Sequence, residues 1–147
     1  MEPVRSYTTS SAEETIELGR QLARGLPKRA VVLLSGNLGA GKTTLAKGIV
    51  SELTGSPPDD IVSPTFTLIH EYEPGPAGTR VYHIDLYRLE RTEQISTLGL
   101  DEIFDQNAVV LIEWGERFLE AMPQPRIEIC LKTPASNPDQ RHVTIAP

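Results

Sequence analysis

The sequence predicts a three-layer α/β fold whose mixed sheet has a parallel core and antiparallel hairpins. Three stretches carry that expectation. Ala30-Val31-Val32-Leu33-Leu34 and Ala108-Val109-Val110-Leu111-Ile112 are short aliphatic runs of the kind a strand buried on both faces shows. Between them, a strand ending near Tyr72 and Arg80–Ile84 look like an antiparallel hairpin, which a purely alternating strand–helix chain would not contain. The 147 residues are expected to form one domain spanning 1–147, long enough to bury a substantial core.

The element after the first aliphatic run organises the rest. Gly36-Asn37-Leu38-Gly39-Ala40-Gly41-Lys42-Thr43 fits G-x-x-x-x-G-K-[ST], and Thr44 to Leu53 follows with apolar residues at helical spacing, stopped by Gly55. Strand, loop and helix together form the context of a phosphate-binding loop. Glycines let consecutive backbone N–H groups turn inward around an anion, and the helix N-terminus adds its positive dipole end. Asn37, Leu38, Gly39, Ala40, Gly41, Lys42, Thr43 and Thr44 are therefore the candidate nucleotide-binding residues. Lys42 would reach the β- and γ-phosphates, and the Thr43 hydroxyl would ligate Mg²⁺. The glycine spacing, G-x-x-G-x-G, excludes a dinucleotide fingerprint. The expected architecture is thus P-loop NTPase-like.

The remaining elements follow in order. Residues 4 to 9 suit a short edge strand. Ser11-Ala12-Glu13-Glu14 has the pattern of a capping box, opening a helix that Gly25 and Pro27 close. Hydroxyls of Thr8, Thr9 or Ser10 either touch a base or serve capping and turn roles. Ser56 to Asp60 is a stiff polar connection. Ser63-Pro64-Thr65-Phe66-Thr67 leads into a strand ending near Tyr72, and Glu73 to Thr79 turns into Arg80-Val81-Tyr82-His83-Ile84. Short connecting helices begin at Thr92 and Gly99. Pro123 to Pro125 breaks the chain before Arg126–Leu131, which alternates, and Arg141–Ile145 returns as a terminal edge hairpin.

Two acids end apolar strands. Glu113 follows four aliphatics, as a Walker B carboxylate does, and such a strand lies parallel to the phosphate-loop strand. Asp85 closes the strand before it. We assign Glu113 to the metal with Thr43, and Asp85 to the attacking water or outer shell; the reversed assignment, or a turn-capping Asp85, stays open. His83 suits a hydrogen-bonded structural role, Tyr87 packing and Arg88 a salt bridge. Lys132 or Arg141 either stacks on a base or is a solvated strand charge. Lys42, Asp85 and Glu113 are the candidate catalytic residues.

Bulk properties narrow the partners. A net charge of -6 argues against broad binding to nucleic-acid phosphates, so any RNA would be held by a partner. The single cysteine, Cys130, cannot form an intramolecular disulfide. No apolar run reaches bilayer length and Met1 to Arg5 does not begin a signal peptide, so a cytoplasmic protein without membrane contact is expected. No N-K-x-D motif supports guanine recognition.

With the loop, Ser63 to Leu68, His83-Ile84-Asp85-Leu86-Tyr87-Arg88 and Ile112-Glu113-Trp114 in hand, the chain resembles the TsaE (YjeE) family of small ATPases in tRNA threonylcarbamoyladenosine biosynthesis. The resemblance covers nearly the whole chain. It implies ATP and Mg²⁺ as cofactors, Glu113 as the Walker B acid, and Ser63 to Thr67 as a nucleotide-responsive switch. It also implies action with the TsaB–TsaD complex, whose TsaD transfers threonylcarbamoyl to a tRNA adenosine, the ATPase resetting that assembly between cycles. Gly115 stands where members of that family often carry proline or another small residue. The alternatives are a small-molecule kinase, which would need an acceptor pocket and a basic lid, and a nucleotide-gated adaptor with negligible turnover.

Overall fold

The computed structural model describes residues 4–64, 67–76 and 78–147. Met1 to Pro3, Thr65 and Phe66 of the switch-like segment, and Ala77 of the hairpin turn lie outside the described residues. In chain order the elements are β1 (Arg5–Thr9), α1 (Ala12–Arg24), β2 (Ala30–Ser35), α2 (Lys42–Thr54), β3 (Ile69–Tyr72), β4 (Arg80–Asp85), α3 (Thr92–Ser96), α4 (Leu100–Phe104), β5 (Ala108–Glu113), β6 (Ile127–Lys132) and β7 (Arg141–Ala146). The seven strands form one sheet in the order β1-β7-β6-β2-β5-β4-β3.

β6, β2, β5 and β4 are mutually parallel, while β3, β7 and β1 run antiparallel to their neighbours. The mixed sheet with a parallel core is therefore present as expected. Its hydrophobic pattern explains the layering. All six residues of β5 are buried. Successive side chains of a strand point to opposite faces, so Val32, Leu34, Val109 and Leu111 join one cluster with Leu18, Leu45 and Ile49 of α1 and α2. Leu33, Val110 and Ile112 join the other, with Ile95, Leu100 and Phe118 from the short helices and the 3₁₀ segment Gly115–Ala121. Each fully buried Leu or Ile of these clusters contributes about 1.5–3 kcal/mol.

The terminal hairpin differs in one respect from expectation. β6 and β7 pair antiparallel, but β7 is not the edge: β1 covers it, with Tyr7 opposite Val143. Val143 and Ile145 alternate with polar residues on β7, and the apolar pair is buried, which favours an added strand over an open edge.

α1 begins as its cap signals. The Ser11 hydroxyl accepts from the Glu14 N–H at 3.1 Å, and the Glu14 carboxylate accepts from the Ser10 N–H, one residue upstream of the N-cap. α1 then crosses α2 at two glycines. A Cβ at Gly19 would stand 2.4 Å from the Leu45 carbonyl oxygen, and one at Gly48 2.0 Å from that of Ile16. Only hydrogen side chains permit this backbone approach. It seats the start of α1 beside the loop between β2 and α2.

Candidate nucleotide-binding site

The carboxyl ends of β2, β4 and β5 converge at one rim of the sheet, the usual place for a ligand crevice in an open α/β sheet. Register sets the heights there: Leu34 is the Cα partner of Glu113, and Glu113 that of Asp85. Both acids therefore stand level with the end of β2, from which the glycine loop departs.

The loop takes backbone conformations that its glycines permit. Gly36, Gly39 and Gly41 have φ of 149°, 81° and 100°. Gly41 is the N-cap of α2, and its carbonyl accepts the first helical bond, from the Leu45 N–H at 2.9 Å. At Gly36 a Cβ would also lie 2.6 Å from the Leu131 carbonyl oxygen, so β6 presses on the loop from behind. The Arg141 guanidinium crosses the loop, donating to the carbonyls of Gly39 at 3.4 Å, Pro138 at 2.7 Å and Gln140 at 2.8 Å.

Lys42 is only 4% exposed. Its ammonium donates to the Gly36 carbonyl at 2.7 Å and lies 3.3 Å from the centroid of the Trp114 ring, a cation–π contact. Burial draws the Lys42 pKa below the ordinary lysine value, against the opposing pull of the Glu116, Glu113 and Asp85 carboxylates. The next residue, Thr43, directs its hydroxyl at both Glu113 oxygens, 3.2 and 3.3 Å away. His83, on β4, approaches the Glu113 Oε2 from the sheet side, with its Nε2 at 2.6 Å.

Asp85 accepts from the backbone of β4's outgoing chain and from a serine hydroxyl. Its Oδ1 accepts from the Tyr87 N–H at 2.9 Å and its Oδ2 from the Ser63 hydroxyl at 3.1 Å. The chain after β4 is pinned from several sides. The Leu86 N–H donates to the Glu113 carbonyl at 3.0 Å, and the Arg117 guanidinium donates to the carbonyls of Tyr87 and Leu89. Leu68 and Trp114 flank the acids with φ of 68°, rare for residues with a side chain. Such strain persists where surrounding bonds over-determine it, and here the Leu68 carbonyl accepts from the Asp85 N–H at 2.9 Å.

These residues surround a cavity of about 380 Å³, within the range of small-molecule sites. Leu38, Gly39, Gly41, Lys42, Thr43 and Thr44 line it, as do Asp85, Glu113 and Trp114. Asn37 and Ala40 instead face a second depression across the loop, beside Glu116 and Lys132. The donor set suits Mg²⁺. Thr43 and Glu113 are hard oxygen donors a few ångströms apart, and this ion takes one or two protein oxygens beside phosphate and water. Among the described residues no group of three or more His, Cys, Asp or Glu side chains could hold a metal alone.

Several participants escape sequence reasoning. Ser11, Ala12 and Thr15 at the start of α1, and Asp139 before β7, complete the cavity wall, together with Arg141, for which base stacking or a solvated strand charge was expected. Their only local signals are a helix cap and a polar loop. The Thr9 hydroxyl is engaged with that of Thr15 at 2.7 Å, and the Thr8 hydroxyl with the His142 Nδ1 at 3.2 Å. Tyr87 lies against Trp114, ring centroids 5.0 Å apart, and lines the cavity while staying 44% exposed. Glu116, three residues beyond Glu113, accepts from the Gly36 N–H at 3.4 Å.

Comparison with known proteins matches residues 9–143 to the family described as threonylcarbamoyl adenosine biosynthesis protein TsaE. A protein of Rickettsia bellii, named tRNA threonylcarbamoyladenosine biosynthesis protein TsaE, is 41% identical over 133 residues, covering 90% of each chain. The protein of that name from Bacillus subtilis is 38% identical over 138 residues, 94% of this chain and 82% of the relative. The crystal structure of Bacillus subtilis YdiB superposes with a TM-score of 0.77 at 34% identity, covering 99% of this chain and 86% of the other.

Proposed function

The chain belongs to the TsaE family, and on that premise we propose that it serves the formation of threonylcarbamoyladenosine in tRNA as an ATP-binding and ATP-hydrolysing protein. The observation that carries the nucleotide reading is the convergence of Lys42, Thr43, Asp85 and Glu113 on one cavity beside the glycine loop.

Each residue then has a task. The Gly39 to Thr44 backbone would cradle the phosphates of ATP through its N–H groups and the α2 N-terminus. Lys42 would exchange the Gly36 carbonyl for the β- and γ-phosphates. Thr43 and Glu113 would hold Mg²⁺, which when bound supplies neutralisation of the phosphate charge. Asp85, oriented by the Tyr87 N–H and the Ser63 hydroxyl, would position the attacking water and accept its hydrogen bond.

Turnover alone should be slow. Among the described residues the cavity wall carries one arginine, Arg141, and its guanidinium is engaged with loop carbonyls. A charge-stabilising arginine supplied from outside is worth roughly 10³–10⁵ in rate. Hydrolysis would therefore be coupled to contact with TsaB–TsaD and would reset that transferase between cycles, tRNA being met only through the complex. Among the described residues no helix is long and apolar enough to cross a membrane, and the role is proposed for the cytoplasm.

Reconstituted tRNA modification tests this reading. One round should proceed without the chain, whereas repeated rounds should require both the chain and hydrolysable ATP. Undiminished multiple turnover in its absence would overturn the resetting role. Strict dependence of ATP consumption on a small-molecule acceptor would favour a kinase instead.

A further inference from the structure

His83 is an odd residue for its position. It sits in the middle of β4, fully buried, on the sheet face that α2 covers. Toward the strand start its same-face neighbours on β4 and β5, Val81, Val109 and Leu111, are apolar core residues, while Asp85 and Glu113 follow on the cavity side and His70 of β3 is its Cα partner. Burying an imidazole among those apolar residues carries a desolvation cost that valine or isoleucine would not. Among the described residues its ring makes one polar contact, Nε2 to the Glu113 Oε2 at 2.6 Å, and its buried Nδ1 has no hydrogen-bond partner. A histidine kept only for stability is expected to satisfy both ring nitrogens. Among the described residues this one satisfies only the nitrogen aimed at the acid.

We propose that His83 is a positioning residue for Glu113: its Nε2–H holds one carboxylate oxygen and thereby fixes the orientation of the carboxylate toward the divalent ion beside Thr43. The inference rests on the ATP–Mg²⁺ reading above and deepens it. A carboxylate only accepts, so the hydrogen of this contact belongs to Nε2. Glu113 ends its strand, and its side chain would otherwise be free to rotate toward the Lys42 ammonium or the Thr43 hydroxyl. Gripping Oε2 from the sheet side removes that freedom and keeps both carboxylate oxygens 3.2 and 3.3 Å from the Thr43 hydroxyl. The diagonal relation of His83 to Glu113 on adjacent parallel strands, two residues out of register, makes the grip possible.

The test measures ATP binding by calorimetry on the full chain, once in excess EDTA and once across a Mg²⁺ titration. His83→Leu removes the donor and keeps the site apolar; His83→Gln keeps an N–H near the position of Nε2. Should His83→Leu fail to fold, His83→Asn, too short to reach Glu113, takes its place. The expected result is unchanged ATP affinity in EDTA, a Mg²⁺ requirement raised about 10–100-fold in His83→Leu, as loss of an outer hydrogen bond to a metal ligand typically gives, and substantial rescue in His83→Gln. A wild-type Mg²⁺ requirement in His83→Leu overturns the proposal, as does an equal loss of affinity in EDTA, which would mark a role in folding the loop. Wild-type protein that binds no ATP under either condition would overturn the nucleotide reading itself, before any variant is compared.

Discussion

The Lys42 ammonium rests on the Trp114 ring, 3.3 Å from its centroid, while donating to the Gly36 carbonyl at 2.7 Å. The lysine is thus folded back onto its own loop and onto the residue that follows the strand-end acid. An arriving triphosphate would compete for the same ammonium. Trp114 is the sole tryptophan, so its emission reports that exchange directly. ATP with Mg²⁺ should change the fluorescence of the wild-type chain, and Lys42→Ala should abolish most of the change. A response of equal size in that variant would separate Trp114 from the phosphate site.

Removing the ammonium should also weaken binding itself. A hydrogen bond to a charged group is worth about 1.5–3 kcal/mol, so Lys42→Ala is expected to lower ATP affinity about 10–100-fold. Titration calorimetry checks this, with Glu113→Gln beside it. The Glu113 variant should retain metal-free binding and lose the gain that Mg²⁺ brings.

Asp85 and Glu113 can be told apart by what each variant leaves intact. Asp85→Asn keeps an acceptor for the Tyr87 N–H but weakens the grip on a water. Turnover should fall about 10²–10⁴-fold, the span of a lost proton-accepting group, with Mg²⁺–ATP affinity nearly unchanged. If Asp85→Asn instead raises the Mg²⁺ requirement while Glu113→Gln does not, the two roles are reversed.

The lowered pKa of Lys42 carries a pH signature. Burial depresses it in the free protein, whereas a bound triphosphate would favour the charged form and raise it. Between those two values the complex holds one proton more than the free chain. ATP binding should therefore take up protons at alkaline pH, and affinity should decline as pH rises through the free-protein value. Calorimetry in buffers of different ionisation enthalpy measures the uptake, which Lys42→Met should remove.

Helix crossing sets the stability of the wall behind the loop. Gly48→Ala would place a methyl 2.0 Å from the Ile16 carbonyl oxygen, a rigid backbone atom. The helices must part, at a cost of about 1–3 kcal/mol, and thermal melting should show a fall of roughly 2–4 °C for each kcal/mol in a chain of this size. A melt unchanged by this substitution would contradict the close α1–α2 contact.

Local pattern in the sequence determined the glycine loop with Lys42 and Thr43, the two buried aliphatic strands, the β3–β4 hairpin and the acids ending β4 and β5. These are legible because phosphate loops, strands buried on both faces and cap residues all write their physics into neighbouring positions. The three-dimensional structure alone decided the company those residues keep. Nothing local says that β4 lies beside β5 in the register that sets Asp85 level with Glu113, that His83 reaches the Glu113 carboxylate, that Arg141 crosses the loop, or that Gly19 and Gly48 meet. Those contacts join residues distant along the chain, and they exist only once both faces of the sheet have been covered and the strands drawn to hydrogen-bonding distance.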